Sequence, residues 1–319
     1  MPTPMSLNER AHRLVERLLD DAEAHRVVVH PIDGGGRVVD CGIDTPGGLS
    51  AGLALARICL ADLADVSLVP GSVGAMPVPV VQVTSDHPVL ACLASQYAGW
   101  QLAEGKFFAM GSGPMRSGYG HEEIIQKIAG HETARRVVGV LEGRKLPPPS
   151  IVAKVAESCG VDRDSVTLLI APTASLAGTL QVVARSIETA LHKLAELKFD
   201  LSRIISAHGT APLPSVAGDD LAAIGRTNDA ILYGARVILF VDGDDESLLE
   251  IGPNVPSSSS ADHGEPFATI FKRYKHDFYA VDPHLFSPAE VTFQNVKTGR
   301  SHRFGRTEDG VLERSLFGE

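Results

Sequence analysis

The sequence is poor in cysteine: four thiols occur in 319 residues, and no two of them form a C-x-x-C pair. Their spacing argues against a structural zinc site and against a disulfide framework. We therefore expect mostly buried thiols in a protein of a reducing compartment. The four residues are Cys41, Cys59, Cys92 and Cys159.

Runs of basic residues are also missing from the sequence. The chain carries 29 Lys and Arg against 39 Asp and Glu, which gives a formal net charge of −10. Because a net-acidic chain repels phosphate backbones, no nucleic-acid partner is expected. An acidic surface does suit a cationic ligand.

The sequence offers no convincing membrane segment. Its N-terminal stretch is charged throughout and lacks the apolar centre of a signal peptide. Residues 165–184 are uncharged over 20 positions, but they contain Pro172, Gly178 and Gln181. We interpret them as a strand, a loop and the start of a helix rather than as a membrane span. The sequence therefore predicts a cytoplasmic protein without membrane contact.

Composition and pattern together predict the fold class. Hydrophobic residues make up 44% and charged residues 21% of the chain, values typical of a globular protein. Helical and strand patterns mix irregularly, which predicts a mixed α and β fold, either α+β or α/β. The proline run at 147–149 is the best boundary between two domains. It gives an N-terminal domain of residues 1–147 and a C-terminal domain of residues 148–319, with interleaved segments left open.

Three strand predictions bear on the rest of the argument. Residues 137–142 are predicted to form a strand that ends in Glu142. A carboxylate there usually faces solvent, but at the carboxyl edge of a sheet it can also face a ligand crevice. Residues 78–83 are predicted to form an edge strand, because Pro79 cannot donate a ladder hydrogen bond. Residues 229–241 are predicted to be largely strand.

Several catalytic motifs are present only in part. Gly48–Gly52 matches G-x-S-x-G, but that motif needs its serine directly after a strand. The segment 46–48 intervenes here, so Ser50 is expected in the first turn of a helix. The pairs at 121–122 and 131–132 begin like H-E-x-x-H and lack the second histidine. The glycine patterns that bind phosphate or dinucleotides are absent.

A glycine-rich loop, Met110–Arg116, follows a predicted short strand. Its Gly-Ser-Gly turn can expose successive backbone N–H groups to an anion or a carbonyl, and Arg116 adds a cation nearby. An ordinary tight loop explains the pattern equally well. Both interpretations stay open at this point.

Two charged residues share one stripe of the helix predicted after Pro172. Gln181, Arg185, Glu188 and His192 recur at helical spacing opposite an apolar face formed by Val183, Ile187, Leu191 and Leu194. Spacing alone favours a surface ion pair between Arg185 and Glu188. The uncharged segment before the helix instead favours burial, where a carboxylate beside a guanidinium can act as a tuned base.

Longer segments carry a more specific signal than these motifs. They are VDCG (39–42), SDHPVLACLASQYAGWQ (85–101), FFAMGSGPMR (107–116), APTASLAGTLQVVARSIETA (171–190), GDDLAAIGRTNDAILYG (218–234), PSSSSADHGEPFATIFK (256–272) and FYAVDPHLFSPA (278–289). Together, and in one order over nearly the whole chain, they resemble the methenyltetrahydromethanopterin cyclohydrolase family, in its bacterial, methylotroph-type form.

The resemblance implies an enzyme of one-carbon metabolism. Its reaction would be the reversible hydrolysis of the cationic 5,10-methenyl bridge of tetrahydromethanopterin to the 5-formyl derivative. The resemblance also implies a cytoplasmic homotrimer that uses no metal or other cofactor. Its two domains would enclose a cleft for the pterin substrate.

The same resemblance implies roles for particular residues. Glu188 and Arg185 match the family motif V-x-x-R-x-x-E-T, and Glu142 matches a second glutamate. We expect Glu188 to deprotonate water, Arg185 to hold Glu188 ionised, and Glu142 to offset the substrate cation or move a proton. Tyr97 stands where many archaeal relatives have lysine, so one positive charge is missing near the presumed cleft. Substrate contacts are expected from Tyr97, Gly111, Ser112, Gly113, Arg116, Thr173 and Ser175.

Three other functions stay open. A related pterin or folate enzyme would differ in the one-carbon carrier that it turns over. A non-catalytic pterin-binding protein would bind the ligand without hydrolysis. A serine hydrolase would use Ser50 and would be labelled there by an acyl probe.

Overall fold

The computed structural model describes residues 5–318, except for the side chain of Tyr279. Residues 1–4 and Glu319, with which the two predicted domains begin and end, lie outside the described residues. Within the described part, none of the four cysteines forms a disulfide; three are buried and Cys159 is half-buried. The prediction of mostly buried thiols is therefore confirmed.

The described chain forms two compact units that interleave along the sequence. The first unit contains the chain up to Ala64 together with Leu90–Gln181. The second unit contains Asp65–Val89 and the chain from Val182 onward. The boundary predicted between residues 147 and 148 lies inside the first unit.

Helices are distributed over both units. Residues 5–318 contain α1 (Leu7–Asp20), α2 (Ala22–His25), α3 (Leu49–Cys59), α4 (Met115–Tyr119), α5 (Glu123–Lys127), α6 (Pro149–Cys159), α7 (Leu176–Val183), α8 (Ser186–Glu196), α9 (Asp220–Leu232), α10 (Asp245–Ile251), α11 (Phe267–Arg273) and α12 (Asp309–Phe317). A π-helix spans Val89–Gln96. The capping-box spacing of Ser6 and Glu9 marks the start of α1, where the Ser6 hydroxyl accepts the Glu9 N–H at 3.2 Å.

Strands likewise occur in both units. They are β1 (Val28–Pro31), β2 (Arg37–Asp40), β3 (Asp65–Val73), β4 (Met76–Ser85), β5 (Trp100–Glu104), β6 (Phe107–Ser112), β7 (Val137–Glu142), β8 (Val166–Ala171), β9 (Ile204–Pro212), β10 (Arg236–Val241), β11 (Glu290–Asn295) and β12 (Ser301–Gly305). The prediction for β7 is confirmed to the residue. The mixed α and β fold class is confirmed as well.

The first unit is built on a six-stranded mixed sheet in the order β1-β2-β8-β7-β6-β5. Strands β2, β8 and β7 run parallel, and the other pairings are antiparallel. Helices α1, α3 and α4 pack on β7, while α6 packs on β8. All six residues of β8 are buried, as expected for a central strand covered on both faces.

The second unit is built on another six-stranded sheet, in the order β12-β11-β10-β9-β4-β3. Only β10 and β11 pair in parallel within it. Helix α8 packs on β9 and β10, and α9 packs against α11 and α12. Buried Tyr233 and Phe267 belong to the core cluster that these three helices share.

The uncharged stretch 165–184 contains β8, a loop and the whole of α7, so its interpretation as a buried strand, loop and helix is confirmed. Across residues 5–318, no helix is both long and apolar enough to span a membrane.

Three local predictions were wrong. β4 lies between β3 and β9 rather than at an edge. It tolerates Pro79 because its register with β9 begins only at Val80. Helix α9 runs on to Leu232, so residues 229–232 are helical and only Arg236–Val241 is strand. The single helix predicted after Pro172 is interrupted at 184–185 and forms α7 and α8.

Candidate active site

The carboxyl ends of three parallel strands meet at one edge of the first unit's sheet. In the register, Asp40 of β2 is level with Ile170, and Glu142 of β7 is level with Ala171, the last residue of β8. The loops that follow these strands therefore leave the sheet side by side. Ligands of α/β sheets bind at such edges, so this one is the candidate site of the first unit.

Glu142 is half-buried at this edge. It lies directly opposite Met110 of the antiparallel strand β6. Side chains of such an opposed pair share one face of the sheet. Phe108, two residues earlier on β6, is 56% exposed on that same face, whereas Phe107 and Trp100 are buried in the core. The end of β7 thus presents a carboxylate beside an exposed aromatic ring.

Thr173 and Ser175 lie in the loop that follows β8. The Ser175 hydroxyl donates to the carbonyl of Pro172 at 2.7 Å and accepts the Gly178 N–H at 3.0 Å, which caps α7. The Thr173 carbonyl accepts the Thr179 hydroxyl at 2.9 Å. The structure therefore brings Thr173 and Ser175 to the same sheet edge as Glu142 and fixes their loop.

Asp40 also shapes this edge, although no role was predicted for it from the sequence. Its fully buried carboxylate accepts the backbone N–H groups of Gly42 at 2.9 Å, Ile43 at 2.7 Å and Asp44 at 2.8 Å. A Cβ atom at Gly42 would come within 3.0 Å of the Ser175 Oγ atom. Asp40 thus folds one loop of the edge tightly against the other. The D-x-G spacing of an Asx turn is the signal that could have indicated it.

The Met110–Arg116 segment runs away from this edge. Ser112 is opposite Val140, two residues back along β7 from Glu142, and its hydroxyl donates to the Val140 carbonyl at 3.0 Å. Gly111 and Ser112 are buried. The Gly113 N–H, at φ +88°, donates to the Ser95 carbonyl at 2.8 Å. One of the backbone N–H groups that the anion-nest interpretation requires is therefore already bonded within the protein.

Arg116 is fully buried with its charge engaged inside the first unit. Its Nε donates to Glu122 at 2.8 Å, and its Nη2 forms a second bond to the same carboxylate. Its Nη1 donates to the Leu93 carbonyl at 3.0 Å. The guanidinium also lies 4.8 Å from the ring centroid of Tyr97. Arg116 and Tyr97 therefore pack together at the end of the π-helix.

Arg185 and Glu188 begin α8 in the second unit. Arg185 precedes the first helical residue and Glu188 lies in the first turn, where the helix dipole favours a negative charge. They are only 6% and 4% exposed. The burial favoured by the sequence context is confirmed. The apolar residues predicted for the opposite face are fully buried: Val183 at the end of α7, and Ile187, Leu191 and Leu194 on α8.

The glutamates of the two incomplete H-E-x-x-H motifs form hydrogen bonds within the first unit. Glu122 binds Arg116, and the Glu132 carboxylate accepts the backbone N–H groups of Leu7 at 2.6 Å and Asn8 at 3.0 Å. Ser50 lies in the first turn of α3, ten residues after β2 ends, so no nucleophile elbow is formed there. Within residues 5–318, no three or more His, Cys, Asp or Glu side chains are grouped to hold a metal ion.

Comparison with known proteins identifies the class first. Residues 6–316 match the model of the family described as Cyclohydrolase (MCH), which is nearly the whole chain. The chain belongs to this cyclohydrolase family.

Individual relatives carry a more specific name. A protein of Rhodopirellula baltica named methenyltetrahydromethanopterin cyclohydrolase is 49% identical over 287 residues, 88% of this chain and 86% of its own length. Proteins of the same name from Methylobacterium sp. (strain 4-46) and Methanococcoides burtonii are 48% and 39% identical, each over 98% of this chain and at least 97% of their own. The resemblance to the family, including its methylotroph-type members, is confirmed.

Proposed function

We propose that this chain catalyses the reversible hydrolysis of 5,10-methenyltetrahydromethanopterin to 5-formyltetrahydromethanopterin. The observation that carries the proposal is the family match over residues 6–316 together with relatives of that name over 98% of the chain. The protein would then act in one-carbon metabolism on a small, cationic pterin substrate. The net charge of −10 suits such a ligand.

The chemistry needs a base and a positioned water more than it needs an electrophilic catalyst. The bridge carbon lies between two nitrogens and carries delocalised positive charge, so it is already activated. Water adds to it as one proton leaves to a base. The hydroxyl group of this adduct then gives up its proton as the carbonyl forms, the bond from the carbon to the second nitrogen breaks, that nitrogen takes a proton, and the formyl group stays on N5. Overall, the cation and one water give the neutral formyl compound and one proton.

Glu188 is the proposed base and Arg185 its charge partner. Support comes from their place at the start of α8, where burial and the helix dipole act on the carboxylate. Glu142 would offset the substrate cation or carry the proton. Its position at the carboxyl end of β7 supports this role.

The binding residues are proposed in two groups. Thr173 and Ser175 would contact the substrate directly, because their loop lies beside Glu142 at the sheet edge. Substrate contacts from Tyr97, Gly111, Ser112, Gly113 and Arg116 stay predictions. The packing of Arg116 within the first unit favours a role in shaping the loop.

Three further statements belong to the proposal. The reaction would need no metal or other cofactor, because the substrate's own charge activates the bridge carbon. The protein would be a cytoplasmic homotrimer, as the resemblance implies. That two domains enclose the pterin cleft also stays a prediction.

An optical assay tests the proposed function, since the methenyl cation absorbs at longer wavelength than the formyl product. The methanopterin and folate forms of the substrate are compared with chelator present, with the uncatalysed rate subtracted. We expect chelator-resistant decay of the methanopterin form alone, lost in Glu188→Gln. Full turnover by Glu188→Gln would exclude Glu188 as the base. Turnover of the folate form alone would move the assignment to a folate enzyme.

A further inference from the structure

A lysine is buried in the second unit on the helix that carries the proposed base. Lys193 follows Glu188 by five residues on α8, about 7.5 Å further along the helix axis. It is only 1% exposed. Its ammonium group donates to the carbonyl of His284 at 2.7 Å and to the Ser259 Oγ atom at 3.1 Å. Lysine is rarely buried without partners of this kind.

The two loops that hold this ammonium group are also tied to each other. The Ser260 hydroxyl donates to Asp282 at 2.6 Å, and the same carboxylate accepts the His284 N–H at 3.0 Å. The Ser259 hydroxyl donates in turn to the Asn254 carbonyl at 3.0 Å. Lys193 is therefore the point at which α8 is fastened to a network formed by both loops.

An apolar side chain could fill the same space without the desolvation that an ammonium group suffers there. A lysine is needed at position 193 if the side chain must hold the two loops by charge-assisted hydrogen bonds rather than only fill space in the core. We propose that Lys193 is a positioning residue for the cyclohydrolase reaction: its ammonium group fastens α8 to the loops at Ser259 and His284, and so fixes the orientation of the Arg185–Glu188 end. This inference rests on the proposed function of Glu188.

The charge state of Lys193 makes the idea testable by pH. Burial lowers the pKa of Lys193 to about 8, and the negative charge of Asp282 acts in the opposite direction. These loops also carry Asp262, whose carboxylate accepts the Asp282 N–H at 3.4 Å, and His263. His284 holds the ammonium group through its carbonyl rather than its ring. As the pH rises through 8, the charge-assisted bonds weaken and the fastening loosens.

The decisive experiment compares kcat, KM and the pH profile in purified full-length variants. Lys193→Met removes the ammonium group at similar volume, and Lys272→Met, at an exposed site on α11, is its matched control. We expect Lys193→Met to lower kcat about 10-fold with KM changed less than about 2-fold, since small displacements of a catalytic group cost this much or more. The wild-type pH profile should show an alkaline limb, a fall in kcat as the pH rises through about 8. This limb should be absent from Lys193→Met, while Lys272→Met should keep both the wild-type kcat and the limb.

Asp282→Asn provides a second test that does not touch Lys193, in case Lys193→Met folds poorly. It keeps an oxygen acceptor for the His284 N–H but removes the charge that raises the pKa of Lys193. The alkaline limb should therefore move to lower pH. A limb unmoved by Asp282→Asn, or a wild-type kcat and pH profile in folded Lys193→Met, would overturn the inference. Glu188→Gln in the same assay tests the proposed base separately, so the two failures are distinguishable.

Discussion

The backbone N–H of Phe267 donates to the carboxylate of Asp229 across 2.8 Å, so that the first residue of α11 is held by a buried acid of α9. The other oxygen of that carboxylate accepts the Ser315 hydroxyl of α12 at 2.5 Å. One fully buried carboxyl group thus joins three helices of the second unit. Burial raises its pKa to about 7, against the opposing effect of both hydrogen bonds.

Asp229→Asn should stabilise the protein at neutral and alkaline pH. Because the pKa of Asp229 is higher in the folded state, that state keeps the proton between about pH 4 and pH 7, where the unfolded chain has lost it. Stability falls as the pH rises through this window and stays lower above it. Asparagine keeps an acceptor for the Phe267 N–H and carries no charge. We expect a gain of up to about 4 kcal/mol at pH 8, shrinking toward pH 4.

Thermal unfolding at pH 5 and pH 8 measures this prediction. Ser315→Ala is the matched control, because it removes a donor that favours the ionised form. It should lower the unfolding temperature more at pH 8 than at pH 5. A gain in Asp229→Asn that is the same at both pH values would show that Asp229 is not the titrating group.

Asp40→Asn should loosen the candidate edge of the first unit. The carboxylate of Asp40 accepts three backbone N–H groups, and an amide offers only one acceptor atom in its place. At least one of these part-buried N–H groups then loses its bond to a charged acceptor, which costs about 1–3 kcal/mol. We expect a lower free energy of unfolding in urea. Asp33→Asn, in the turn between β1 and β2, should leave it unchanged. Equal stability of Asp40→Asn and wild type would contradict this account.

Arg116→Met separates a structural role of Arg116 from a substrate contact. The guanidinium is buried against Glu122 and the Leu93 carbonyl, so its loss leaves both without their donor. We expect a loss of about 3 kcal/mol in stability, as for other broken buried pairs. KM should stay near the wild-type value under conditions where the variant is folded. An unchanged unfolding temperature with a raised KM would instead support the predicted contact with substrate.

The elements with the sharpest sequence signals were predicted best. β7 is a run of apolar residues bounded by Arg136 and Glu142, and its limits were found to the residue. The end of α9 was missed because Ala230-Ile231-Leu232 is an apolar run that fits either a strand or a buried helix. The break between α7 and α8 was missed because no glycine or proline marks it, and the helical period of apolar residues continues across it.

Some residues of the candidate site could likewise be predicted from local sequence patterns, and others could not. The pattern of β7 correctly placed Glu142 at the carboxyl end of a strand. Periodicity placed Arg185 and Glu188 in one continuous helix, whereas Arg185 lies in the break before α8. The burial of Arg116 could not be foreseen, because its partners Glu122 and Leu93 come from segments that only the folded unit brings together. Lys193 was missed for the same reason. Its position on the helix shows nothing of the loops near His284 that hold it.

Glu142→Gln should discriminate between the cationic substrate and the neutral product. If Glu142 offsets the charge of the methenyl bridge, then removing its own charge weakens binding of the cation alone. A half-buried charge contact of this kind contributes about 1–2 kcal/mol, so KM for the methenyl compound should rise about 10-fold. KM for the formyl compound, measured in the reverse direction, should change less than about 2-fold. Met110→Leu, which alters the residue opposite Glu142 without changing charge, is the control.

Two other outcomes would contradict this role of Glu142. If Glu142→Gln raises both KM values equally, the residue shapes the edge of the sheet without distinguishing the cation from the neutral compound. If it lowers kcat in both directions at constant KM, the carboxylate moves the proton instead, because that step is common to hydrolysis and ring closure.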